Sequence, residues 1–498
     1  MSDPKALLEQ AGRRARSGDR DTALRLLGTL VAAPGTGAEI LLQAAFQAYQ
    51  LGAMELAERV LRHAIEAEPG FAAAHTNLGN ILREQGRLEE AIAATEAACA
   101  LAPRDPMNFA NLGGLYEQIL RPDKAEAAFR EALKRAPGEP GLLDALGRVL
   151  SKLARPADAM AALKSAIEKA PKLTSAHINM GNLYQEAEQF ELAAQAYQKA
   201  LDLEPGELSA RGNLALAHFR QGNLEQAAAG FRQVTEMAPR DPAACNNLAQ
   251  VCYRMGQLQA ALAACDGALA RDPGNRTAIA NKVIVLREIP DRAGATYLQN
   301  FDRFLTAAQI GRPPGFDSVA AFNDALFAEV DAEPDRFSER GMDQARQTRD
   351  IMLAPGPAVR AYAAVINGAV RDYIAKLPID PEHPFLATIP SAWRLEAWGT
   401  ITRQIAQGED THIHPTAWLS GVYYPRLPDA VRNDQDTGGY LEVGRPPNHI
   451  VQSQAPELKI IRPETGLLVL FPSYVYHRVL PFSSSEPRMS VAFDAVPG

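Results

Sequence analysis

The chain has 498 residues, and its 51 Lys and Arg against 59 Asp and Glu give a formal charge of −8. That balance argues against the basic footprint of nucleic-acid or anionic-membrane binding. No run approaches the roughly 18 apolar residues a membrane helix needs, and the opening "MSDPKALLEQAGRRARSGD" lacks the apolar segment of a secretory leader, so a cytoplasmic location is expected. The four cysteines, Cys99, Cys245, Cys252 and Cys265, lie inside helical patterns without CxxC spacing and read as small buried helix residues.

The first 290 residues are self-similar. Prolines recur at 69, 103, 137, 171, 205, 239 and 273, each 34 residues after the last, and alanines keep the same step from Ala57 to Ala261. A third column of small residues runs through Ala45, Gly79, Gly113, Gly147, Gly181, Ala215 and Ala249. Small side chains let paired helices approach closely, and a proline beside a helix start costs little because its missing N–H would be unpaired there. Gly52, Gly86, Gly222 and Gly256 fall in the turn between helices. Units such as "NLGNILREQGRLEEAIAATEAACALAP" resemble the tetratricopeptide repeat. Eight helix pairs fit, the first weaker, with Gly18, Ala23 and Pro34 standing for the columns, and a capping helix follows near Asn275–Glu288. The resemblance implies an α-solenoid over 1–290 with a long concave face.

One column is not explained by packing. Asn77, Asn111, Asn179, Asn213, Asn247 and Asn281 share one register, although asparagine is a mediocre helix former. Their position is similar to the asparagine ladder in the repeats of O-linked N-acetylglucosamine transferases, which implies binding of an extended peptide through its backbone. An amide offers both a donor and an acceptor for that purpose. Bonding between neighbouring repeats is the other use of such a column.

After Leu286 the 34-residue step stops, and residues 291–314 read as a linker. Apolar spacing over Ala320–Val330 and Ala358–Leu377 predicts helices. From about Trp393 short β-rich runs alternate with turn residues, which predicts a β-sandwich or barrel over about 390–498. The fold class expected is therefore multidomain α + β, with a C-terminal domain over 315–498.

Five of the nine histidines, His383, His412, His414, His449 and His477, lie in this part. In an extended segment His412 and His414 share a face with Ile413 opposite, a geometry suited to two ligands of one metal. His477 ends the run "GLLVLFPSYVYH", and in "EPRMSVAF" Arg488 and Ser490 share a face as a fork for a carboxylate. His383 follows a proline-rich turn and is expected at the surface; His449 lies in a loop-like stretch and is read as structural or substrate-facing. Of Tyr423 and Tyr424, which alternate across a strand, one is expected to face the interior and bond a cofactor.

In order, "HIHPTAWLSGVYYP", "TGGYLEV", "GLLVLFPSYVYHRV" and "PRMSVAF" resemble the iron(II)/2-oxoglutarate-dependent dioxygenases, more narrowly those whose hallmark is close to HxHPxxxxSGVYY. The resemblance implies a double-stranded β-helix (jelly roll), with His477 as the distal Fe(II) ligand and Arg488 with Ser490 holding the far carboxylate of 2-oxoglutarate. Most of that superfamily pairs its first histidine with a carboxylate two residues on, where this chain has His414. The metal shell is then either His412, His414 and His477, or one completed by a carboxylate, with Asp410 and Glu442 nearest by sequence. The expected function is a 2-oxoglutarate-dependent oxygenase, using Fe(II), 2-oxoglutarate and O2, that hydroxylates a protein or peptide held by the repeats. The alternatives are action on a small molecule, with the repeats used for assembly, and a non-catalytic scaffold.

Overall fold

The structure is a computed structural model and describes residues 3–33, 35–289, 293–334, 345–405, 410–432 and 437–498. Pro34, taken above as the first of the proline column, lies outside them. Two compact units divide at Ala217/His218.

In the first unit, paired helices follow one another from Pro4–Arg16 and Arg20–Ala32 through Thr174–Glu186 and Phe190–Leu203. The small-residue column packs as the sequence requires. A Cβ on Gly113 would stand 2.7 Å from the Phe129 ring, and one on Gly181 would stand 2.5 Å from that of Tyr197, closer than side chains pack.

The turn column has more members than glycine alone reveals. Gly18, Gly52, Gly86, Gly222 and Gly256 have positive φ, and so do Leu120 (56°), Ala154 (55°) and Glu188 (57°), which continue the same 34-residue step. Around Leu120, the N–H of Arg121 bonds the carbonyl of Tyr116 at 2.8 Å and its own N–H bonds that of Glu117 at 3.1 Å, a Schellman closure. A side chain in this left-handed conformation costs roughly 1–2 kcal/mol, and all three are exposed. The variant Leu120→Gly/Ala154→Gly/Glu188→Gly is therefore expected to be more stable, by about 0.5–1 kcal/mol per site after the added chain entropy of glycine. A rise in the thermal midpoint measures it, and a fall would show that the turns carry no strain.

The second unit holds the remaining repeat helices, ending at Arg276–Glu288, and the C-terminal sheets. Its strands are β1 (Thr306–Gln309), β2 (Ala345–Gln347), β3 (Trp393–Ile405), β4 (Leu419–Arg426), β5 (Leu441–Val443), β6 (Lys459–Ile461), β7 (Leu467–Pro472), β8 (His477–Val479) and β9 (Phe482–Pro497). They form a six-stranded sheet in the order β1-β7-β4-β9-β3-β2 and a three-stranded sheet in the order β6-β5-β8, with every pairing antiparallel. Two features depart from expectation. The described part of 291–314 is not a plain linker, because it carries β1, which adds an edge strand on β7. The helix Arg276–Glu288 belongs to the C-terminal core: Ile279 and Ala280 pack there, and the buried Arg276 donates through Nε to the Ala417 carbonyl at 3.1 Å.

One face of the large sheet is covered by the helices Val319–Asp331 and Pro357–Lys376. Tyr423 donates to Asn323 at 2.5 Å, and Tyr362 donates to the Val491 carbonyl at 3.1 Å and packs on Phe493. Gly421, in the "SGVYY" run, lies on this face; a Cβ there would meet Phe493 and the Val469 carbonyl, both at 2.5 Å. Because side chains alternate along a strand, Ser420 and Tyr424 on β4, and Arg488, Ser490 and Asp494 on β9, point to the opposite face.

Candidate functional site

That opposite face carries the histidines. The segment before β4 runs beside β8, where His412 and His477 exchange both main-chain hydrogen bonds, at 3.2 and 3.1 Å. The His414 N–H bonds the Ser473 carbonyl at 2.9 Å, which fixes the second histidine of the pair. Ligand-capable atoms of His412, His414 and His477 all lie within 4.8 Å of one another. Among the described residues this is the one such group that could hold a metal ion.

Each ring is oriented from behind. His412 Nδ1 lies 2.8 Å from the Asp410 carbonyl, His477 Nδ1 lies 3.1 Å from the Val475 carbonyl, and His414 Nδ1 lies 2.8 and 2.7 Å from the two carboxylate oxygens of Asp494. With Nδ1–H donating in all three, each Nε2 keeps a lone pair for a metal. His414 stacks between the His412 ring at 5.2 Å and the Trp398 ring at 5.6 Å, and Phe471 packs on His477. Burial, with His412 and His414 nearby, pushes the His477 pKa well below its ordinary value, so this ring is neutral at pH 7 as a ligand must be.

Neither candidate carboxylate joins the group. Glu442 pairs across the small sheet with Arg478, and His477 with Val443, so Glu442 lies on the far side from the histidines. There it accepts from Arg445 at 2.6 and 2.9 Å and from Arg478 at 2.7 Å. Burial alone would raise its pKa, but the two guanidinium groups outweigh it and hold the carboxyl below its usual value. Asp410 serves through its main-chain carbonyl and is exposed.

Arg488 is 1% exposed. Its Nη1 donates to Ser490 Oγ at 3.1 Å, while Nε and Nη2 are buried with no hydrogen-bond partner among the described residues. Its guanidinium lies 5.3 Å from the centre of the Tyr424 ring. Tyr424 is thus the tyrosine on the site face, and Tyr423, offered above for the same role, is committed to the helices through Asn323. His383, expected at the surface, is fully buried: its Nε2 lies 3.0 Å from the Tyr297 carbonyl, and Tyr297, Phe304 and Phe385 surround the ring. His449 lines a small pocket with Tyr253, Arg254 and Asn281.

The asparagine column divides. Asn179 donates to Asp144 at 2.7 Å and Asn213 to Asn182 at 3.1 Å, in each case on the preceding repeat, and Asn281, 4% exposed, donates to the Asn246 carbonyl. Asn77 bonds the Ala73 carbonyl in its own helix and lines a groove of about 530 Å³ with Leu42, Gln43, Phe46 and Gln50. Asn111 and Asn247 are half-buried.

Asp494 and Trp398 were not read from the sequence. The signal for Asp494 was present, since Arg488, Ser490 and Asp494 fall on alternate residues of one strand.

Comparison with known proteins fits this geometry. Residues 396–494 match the family model described as "Putative 2OG-Fe(II) oxygenase". Residues 42–106, 111–174, 214–276 and 174–207 match models of the tetratricopeptide repeat. No curated protein matches the chain. Among solved structures it is similar to a tetratricopeptide repeat protein from Parabacteroides merdae ATCC 43184, at 18% identity over 51% of this chain and 100% of that one, with a TM-score of 0.43. It is also similar to YrrB, a TPR protein with an unusual peptide-binding site, at 24% identity over 36% and 92%, with a TM-score of 0.30. MamA 41-end from Desulfovibrio magneticus RS-1 is similar at 26% identity over 34% and 95%, with a TM-score of 0.31. The chain thus carries tetratricopeptide repeats across its N-terminal region and a 2OG-Fe(II) oxygenase domain at 396–494.

Proposed function

We propose that the chain is an Fe(II)/2-oxoglutarate-dependent oxygenase that hydroxylates a protein or peptide recruited by its repeats. The observation that carries this is the pairing of three imidazoles, each with Nε2 left for a metal, with a buried guanidinium whose Nε and Nη2 have no partner among the described residues. Buried donors left unpaired cost about 1–3 kcal/mol, and a carboxylate bound in their plane would satisfy both. His412, His414 and His477 would hold Fe(II); Arg488 and Ser490 would hold the far carboxylate of 2-oxoglutarate, beside the Tyr424 ring. When bound, the metal and 2-oxoglutarate supply oxidative decarboxylation coupled to hydroxylation of a C–H bond, with O2 as co-substrate.

The chain's own residues orient and shield. The main-chain carbonyls of Asp410 and Val475 hold two rings with Nδ1 protonated, Phe471 and Trp398 pack against the imidazoles, and the exposed His412 marks the side open to a large substrate. Tetratricopeptide repeats are protein-interaction modules, which favours a polypeptide substrate, and the groove beside Asn77 and Phe46 offers apolar and amide contacts for one. Anaerobic addition of Fe(II) and then 2-oxoglutarate to the purified protein, followed by visible absorption, tests the site. A charge-transfer band that needs both additions is expected; a protein that retains no iron and gives no band would overturn the proposal.

A further inference from the structure

The superfamily carboxylate missing at position 414 has a counterpart one bond further out. Asp494 is 5% exposed, and both of its carboxylate oxygens face His414 Nδ1, at 2.8 and 2.7 Å. Ser420 donates to Oδ1 at 2.6 Å. The residue sits on β9 between two partner strands, opposite Ser420 on β4 and Glu396 on β3, so its backbone is held on both sides. His412 and His477 lean on main-chain carbonyls, which carry no net charge.

We infer that Asp494 is a positioning residue for the metal: it fixes His414 in the tautomer that presents Nε2 and supplies, from outside the ligand set, the negative charge a histidine trio lacks. This rests on the metal-site reading above. Two observations carry it. A carboxylate that accepts hydrogen bonds from Nδ1 makes the opposite nitrogen a stronger donor to a metal, which a carbonyl does less well. The second is electrostatic. A buried carboxylate is costly without a compensating positive charge, and the side chains bonding this one, among the described residues, are an imidazole and a hydroxyl. A divalent cation on the far nitrogen of that imidazole would supply the charge. The sequence then reads as an exchange of positions: the histidine enters the ligand set and the acid moves behind it.

The test uses the full chain, freed of metal and titrated with Co(II), whose visible bands report both affinity and ligand field. Asp494→Asn keeps the size and an acceptor but removes the charge. It is expected to bind Co(II) about 10- to 100-fold more weakly than wild type, with altered bands, while Ser420→Ala shows a smaller change in the same direction. Wild-type affinity and an unchanged spectrum in Asp494→Asn would overturn the inference and leave the metal site standing. Failure of the wild type to take up Co(II) would instead overturn the site itself. If Asp494→Asn does not fold, nitrogen NMR of histidine-labelled wild type decides: His414 protonated at Nδ1 supports the assignment, and His414 protonated at Nε2 overturns it.

Discussion

In the Arg488→Ala protein, 2-oxoglutarate binding is expected to weaken by about 2–5 kcal/mol, on the order of 30- to 5,000-fold, with the repeats still folded. A charged fork removed from a buried site takes with it two hydrogen bonds and leaves the ligand's carboxylate without a counter-charge. Arg488 is buried and spends only Nη1 within the described residues, on Ser490, so its remaining donors await an acceptor. The same imbalance gives an internal control. A buried guanidinium with two donors unpartnered among the described residues burdens the ligand-free fold, so the alanine variant should melt no earlier than wild type when both lack ligand. Calorimetry of 2-oxoglutarate binding to the metal-loaded protein measures the first quantity, and thermal unfolding of the ligand-free protein the second. Equal 2-oxoglutarate affinity in the two proteins would mean that the fork serves the fold rather than a cofactor.

What the sequence disclosed follows from how local each constraint is. The repeats were legible because the same packing demand returns every 34 residues, and the Gly113–Phe129 and Gly181–Tyr197 approaches are that demand in atoms. The turn column was only half visible: Leu120, Ala154 and Glu188 hold the left-handed position without the glycine that would announce it. His412 and His414 were legible through strand alternation. His477 and Arg488 emerged from order along the chain, because the pairings that bring β8 and β9 to the histidine pair join segments far apart in sequence. Long-range pairing also hid the strand at Thr306–Gln309, whose four residues look like linker until β7 lies beside them. His383 looked exposed beside its prolines, yet Tyr297 and Phe304, about 80 residues earlier, close over it. Glu442 was a fair candidate by position. Only the register of β5 on β8 turns it away from the histidine side, toward Arg445 and Arg478.

Replacing His477 by alanine should remove metal binding, by more than the 10- to 100-fold that loss of an outer partner alone costs. Two histidines would remain, one of them exposed, and two imidazoles without a third ligand no longer enclose one face of an ion. The same substitution carries a second, metal-independent signature. Burial holds the His477 pKa well below 6.5 in the folded chain, whereas in the unfolded chain the ring protonates near 6.5. Below that pH the unfolded state therefore binds a proton that the native state refuses. The contribution of this group to stability is full above about pH 6.5 and is lost as pH falls toward the depressed native value, at up to about 1.4 kcal/mol per pH unit. In His477→Ala this share of the acid sensitivity disappears, so wild type and variant should differ less in thermal midpoint at pH 5 than at pH 7.5, both free of metal. A gap that is constant across that range would mean that the native ring takes up its proton at the ordinary value, so that burial does not depress it.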